Sequence, residues 1–213
     1  MDDERLRADI LEELDHEPGI DPARIDVAVT DGIVTLRGGV RSLREKDAAR
    51  GIVEEMLGVR GLIDRLAVRP PERLTDDEIA RRVAATLEWH SAVPAAGLAV
   101  SVAHGRVTLA GTVAWHHQAE AAVQALRQLD GVIDVADRIA VQPPVQAGDV
   151  TDRIRRALLR CAEIDAARIR VHVADGTVTL EGRVRSLGER RSAERAAWSA
   201  PGVCRVVDRL DVL

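Results

Sequence analysis

Apolar residues recur four apart at Leu6, Ile10 and Leu14, again at Ile79, Val83 and Leu87, and again at Val150, Ile154 and Leu158. That spacing places each trio on one stripe of a helix, and the stripe must be buried. Beyond each stripe the period changes to two, in the strings IDVAVTDGIVTLRGGVRS from Ile25, LAVSVAHGRVTLAGTVAW from Leu98 and IRVHVADGTVTLEGRVRS from Ile169. Alternation of this kind predicts paired strands. The dipeptides Asp31-Gly32, His104-Gly105 and Asp175-Gly176 supply the positive-φ chemistry of a tight hairpin turn. In the third string Ile169, Val171 and Val173 point one way while Arg170 and His172 point the other. One sheet face therefore looks at helices and the other is wet or docks on a partner.

The helical period then returns. Ala49/Ile52/Val53/Met56, Ala122/Ala125/Leu126/Leu129 and Ala193/Ala196/Ala197/Ala200 form the inward face of a second helix, with small residues that permit close approach to the sheet. Ser42 and Ser186 are its expected N-caps. Gly58, Gly131 and Gly202 are its expected stops, and a last strand closes each unit at Val68, Val141 and Val212. The order is α-β-β-α-β, three times.

The three strings align without a gap at offsets of 73 and 71 residues. The same offsets relate Gly38, Gly111 and Gly182, and the pairs Asp64-Arg65, Asp137-Arg138 and Asp208-Arg209. The chain is therefore read as α+β, with three tandem α-β-β-α-β modules, each a three-stranded sheet packed against two helices. The modules span residues 1–69, 74–142 and 147–213. Linkers around 70–73 and 143–146 carry Pro70-Pro71 and Pro143-Pro144, which stiffen them. A core of about 70 residues is marginal alone, so mutual packing of the modules is expected.

Composition narrows the function classes. Apolar residues make up 46% of the 213, yet there is no Phe or Tyr and only three Trp, so the cores are built from Val, Leu, Ile and Ala. The net charge of -5 argues against a nucleic-acid partner, which calls for a basic excess. The balance is uneven. Residues 1–71 carry 11 basic and 16 acidic side chains, 72–146 carry 6 and 9, and 147–213 carry 13 and 10, so only the last third is net positive. No stretch approaches a membrane span. The first residues are charged from Asp2 onward without an apolar core, so they are not read as a secretory signal, and the chain as written is expected in the cytoplasm. Cys161 and Cys204 lack CxxC spacing and read as ordinary thiols.

The hairpin pattern V-x-V-x-(D)G-x-VTL-x-G-x-V, the Ile-Asp-Ala or Asp-Pro-Ala-Arg-Ile lead-in, the Ala-rich helix and the closing Gly-Val with Val-x-(D)R-(L/I) resemble the BON domain, named for bacterial osmotically induced Y-type and nodulation proteins. LEWH at Leu87, AWHHQAEAAV at Ala114 and AERAAWSAPGV at Ala193 are similar to segments of soluble bacterial stress proteins with three such domains. The resemblance implies a non-enzymatic protein that binds phospholipid surfaces or protein partners. It implies, as the alternative, a cytoplasmic protein that senses or binds potassium. It brings no catalytic set and no cofactor.

The residues themselves offer two candidate sites. Trp115 and His116 replace Ser42-Leu43 and Ser186-Leu187, and Trp89-His90 end the first helix of the middle unit, so Trp89, His90, Trp115, His116 and His117 fall at one end of that module. They make either a docking patch or a seam between modules. His104 belongs to the opposite end. A metal site would draw on His90 with His116 or His117, and no further ligand completes the set. The second candidate is a basic face in the third unit, Arg153, Arg155, Arg156, Arg170, Arg183 and Arg185, suited to anionic headgroups. There is no GxSxG, P-loop, GxGxxG or HExxH, and the recurring Asp-Arg pairs are read as structural, marking a turn into the last strand or a paired surface. Unpaired sheet edges leave self-association open.

Overall fold

The computed structural model describes residues 2–71, 74–90, 97–142, 168–174, 176–200 and 203–213. The first module comprises α1 (Asp3–His16), a 3-10 turn (Pro22–Arg24), β1 (Ile25–Thr30), β2 (Ile33–Val40), α2 (Leu43–Glu55) and β3 (Gly61–Val68). The second comprises α3 (Asp76–Trp89), β4 (Leu98–Ala103), β5 (Arg106–Val113), α4 (His116–Arg127) and β6 (Asp134–Val141). The third contributes β7 (Ile169–Ala174), β8 (Thr177–Val184), α5 (Leu187–Trp198) and β9 (Arg205–Val212). The helix expected from Val150, Ile154 and Leu158 lies outside the described residues, as does Cys161.

Each sheet has its middle strand antiparallel to the first and parallel to the last, in the order β1-β2-β3, β4-β5-β6 and β7-β8-β9. The hairpins turn through Asp31 (φ 53°) with Gly32 (φ 75°) and His104 (φ 52°) with Gly105 (φ 74°), two successive left-handed residues as a type I′ turn demands. The first helix holds the turn in place. Asp3 accepts from the backbone N–H groups of Asp31 (2.7 Å) and Gly32 (3.1 Å), and Asp76 from those of His104 and Gly105 (both 2.8 Å). Gly38, Gly111 and Gly182 sit where a Cβ would lie 2.1 Å from the carbonyl oxygen of Arg24, Gly97 or Arg168. Only glycine fits there.

Leu6, Ile10 and Leu14, and likewise Ile79, Val83 and Leu87, are buried against the inward residues of the sheets, such as Val34 and Leu36 or Val107 and Leu109. The helix stops differ from expectation. α2 and α4 end at Glu55 and Arg127, three and four residues before Gly58 and Gly131, because the last turn tightens, with Met56 N–H bonding to Val53 O and Leu129 N–H to Leu126 O. The glycines (φ 93° and 88°) serve the turn that follows.

The Asp-Arg pairs lie inside the last strands rather than at a turn into them. Asp64, Asp137 and Asp208 each accept, through Oδ1, the backbone N–H two residues on, from Leu66 (2.9 Å), Ile139 (2.8 Å) and Leu210 (2.8 Å). Leu66 O accepts from Lys46 Nζ at 2.8 Å, and Lys46 also pairs with Asp64 at 3.2 Å. Both outward polar groups of Leu66 on an edge strand are thereby occupied.

Candidate functional site

The second helices bring the modules together. Ser42 and Ser186 cap α2 and α5, their hydroxyls accepting from Glu45 and Glu189 N–H. Glu45 answers by accepting from the N–H groups of Arg41 (2.6 Å) and Asp21 (3.1 Å). The S-x-x-E spacing is that of a capping box, but here the glutamate reaches the N–H before the cap residue rather than that of Ser42 itself. In α4, Trp115 takes the cap position, and Gln118 Oε1 accepts from Ala114 and Trp115 N–H, both at 3.1 Å.

Each helix so positioned presents its first turn to a neighbouring module. Leu43 is buried in the core of the second module, among Ile79, Val83 and Leu126. One turn on, Asp47 receives Arg127 Nη1 on both oxygens, at 2.6 and 2.8 Å, from 80 residues away. Leu187 packs against the core of the first module, and Arg191 pairs with the buried Glu54. The backbone of α2 approaches Gly188 closely. His116 stacks on Trp198, ring centres 3.9 Å apart.

The residues expected at one end of the second module separate in their surroundings. His116 is half-buried in the seam with Trp198, a partner that no spacing in the sequence pairs with it. Trp115 is half-buried, His117 and His90 are exposed, and Trp89, at the end of α3, is 89% exposed. Burial holds His116 below the usual histidine range, against the opposing pull of the Glu120 and Asp137 carboxylates. Glu194, which accepts a hydrogen bond from Trp198, is raised above the usual carboxylate range by burial and by Asp208, while Arg190 opposes the shift. Among the described residues no three of His, Cys, Asp and Glu come together as metal ligands, and none of the helices is long and apolar enough to cross a membrane.

The basic residues also divide. Arg170 and Arg183 are exposed on the outer face of β7 and β8, beside Arg168 and a shallow cleft of about 420 Å³ floored by Gly182. Arg205 and Arg209 continue that face on β9, with Glu181 bonded to Arg209 at 3.1 Å. Arg185 lies elsewhere, in a cleft of about 500 Å³ shared by α5 and Glu55 and Leu57 of the first module. Arg153, Arg155 and Arg156 lie outside the described residues.

The family model for the BON domain matches three times, at residues 2–70, 75–143 and 146–213. The chain belongs to the BON-domain family. Its three BON modules thus account for nearly the whole sequence. Solved structures similar to this BON chain include CdsD, a structural protein of the type III secretion system of Chlamydia trachomatis, 15% identical over 98% of this chain and 92% of that one, with a TM-score of 0.27. The C-terminal domain of CdsD is 15% identical over all of both chains, with a TM-score of 0.28. The PrgH periplasmic domain is 12% identical over 89% of this chain and 95% of that one, with a TM-score of 0.24. None of the curated proteins searched matches.

Proposed function

We propose that this BON-domain protein is non-catalytic, of the osmotic and envelope-stress type, and that it applies the outer sheet face of its third module to anionic phospholipid surfaces. The observation that supports this reading is the charge of that face. Arg170, Arg183, Arg205 and Arg209 point outward against Glu181 and Asp211, and Glu181 is spent on Arg209. Each arginine brought to an anionic surface contributes about 1 kcal/mol, and the interaction weakens as salt screens it.

The test is co-sedimentation with vesicles of increasing phosphatidylglycerol content, at low and high salt. Binding that rises with anionic lipid, falls with salt and is lost in Arg170→Glu/Arg183→Glu supports the proposal. Binding indifferent to all three refutes it. A second reading, docking of a protein partner at the Trp89 end of the second module, is favoured by the 89% exposure of an indole that fills no core. Vesicle binding intact in the arginine variant and lost in Trp89→Ala would move the membrane contact there. Thermal unfolding in potassium against sodium addresses the cation alternative, since only a ligand of the folded state raises the midpoint.

A further inference from the structure

The repeat offsets make Leu43, His116 and Leu187 one position, Asp47, Glu120 and Arg191 a second, and Glu54, Arg127 and Trp198 a third. The three seams use these positions in a single cyclic order. Leu43 and Asp47 of the first module meet the second at its core and at Arg127. His116 of the second meets the third at Trp198. Leu187 and Arg191 of the third meet the first at its core and at Glu54. Every time, the opening of one second helix faces the end of the next. A head-to-tail contact of this kind closes into a ring or runs on as a filament, depending on the rotation between units.

We infer that the three modules form a closed ring within one chain, and that the seam pairs are keys fixing which module docks on which. The polarity of the keys is what enforces the order. At the first seam the acid is on the leading helix (Asp47) and the base on the receiving one (Arg127). At the last seam the base leads (Arg191) and the acid receives (Glu54). Among the described residues the middle seam shows an aromatic stack in place of an ion pair. Of the six wrong pairings, three oppose like charges: Asp47 on Glu54 of a second copy, Glu120 on Glu54, and Arg191 on Arg127. Repulsion against wrong partners is how such specificity is built. Tethering on one chain then favours the intramolecular match. The occupant of the α2 end is therefore the third module of the same molecule.

The test places a disulfide across the last seam, in the full chain with Cys161 and Cys204 changed to Ser. An ideal Cβ at Gly188 lies 3.6 Å from the Glu55 Cα, so Glu55→Cys with Gly188→Cys suits a cross-link. Oxidation is expected to give one intramolecular bridge in a protein of monomer mass by light scattering. A bridged dimer, or two thiols left reactive in a folded protein, overturns the ring. Should that variant fail to fold, the charges decide. Glu54→Arg and Arg191→Glu are each expected to lower the unfolding midpoint, and together to recover most of the loss. Equal additive losses would overturn the pairing. Asp47→Arg, which removes the like-charge barrier toward Glu54 of another copy, is expected to produce concentration-dependent oligomers where the parent protein shows none. A strictly monomeric Asp47→Arg protein would refute the keying.

Discussion

The imidazole of His116 lies flat on the indole of Trp198, with the ring planes 11° apart. Burial favours the neutral ring, so the folded-state pKa stands below the unfolded value of 6.5. A depressed histidine contributes stability that is complete above the unfolded pKa and is lost as pH falls below it. Glu194, raised by burial, acts with the opposite slope, its cost appearing as pH rises through and above 4.5. The clean observable is therefore a difference. His116→Leu, which installs the residue found at Leu43 and Leu187, is expected to match the parent near pH 7.5 and to exceed it at pH 5.5 in urea unfolding. Parallel curves at both pH values would show that His116 does not sense acid through this contact.

Gly111 offers the sharpest test of the hairpin geometry. Its φ is 139° and a Cβ would lie 2.1 Å from Gly97 O. Gly111→Ala forces both backbone strands to move and is expected to cost about 4 kcal/mol or more, read as loss of the folded baseline of the second module in thermal or urea unfolding. Gly51, with nothing near its Cβ position, is the control, and Gly51→Ala in the middle of α2 should stabilise by about 0.5–1 kcal/mol.

Asp64 guards an edge. Asp64→Ala leaves Leu66 N–H without its acceptor and takes the carboxylate from Lys46, which keeps only Leu66 O, and is expected to cost about 1–3 kcal/mol. It also opens β3 to pairing with another chain. Light scattering at rising concentration should then detect association in the variant at concentrations where the parent is unchanged.

Neighbouring residues at the end of α3 should behave oppositely. Leu87 is buried and Trp89 is exposed. Leu87→Ala is expected to cost about 2–5 kcal/mol. Trp89→Ala should change stability by no more than about 0.5 kcal/mol. A large loss from Trp89→Ala would mean that the ring serves structure and not a partner.

The modules were legible because their signals are local. Four-residue spacing gave Leu6/Ile10/Leu14, period-two strings gave the strands, and Asp31-Gly32 and His104-Gly105 gave the turns. The helix stops were less so, since the tightening at Met56 and Leu129 depends on packing rather than on the glycine that follows. The seams were the least legible. Their partners are separated by 80 residues for Asp47 and Arg127 and by 137 for Glu54 and Arg191, and an ion pair across such a span leaves no periodic trace. His116 stands out in the sequence because its two counterparts are leucines. That Trp198, and not Trp89, would meet it depended on which modules touch, which no single repeat encodes. The basic face was half legible, because alternation put Arg170 and Arg183 outward together while Arg185, beyond the strand, went to another surface.

The central strands carry one further consequence. Val34-Thr35-Leu36, Val107-Thr108-Leu109 and Val178-Thr179-Leu180 are the same tripeptide, and each is enclosed by its own module. Asp47/Glu120/Arg191 and Glu54/Arg127/Trp198 differ from copy to copy, and seam contacts fall at these positions. Sameness among the repeats thus marks what a module needs to fold by itself, and difference marks where it must tell its siblings apart. A chain made of three identical first modules would keep every turn and every buried valine, and would have lost its sense of order.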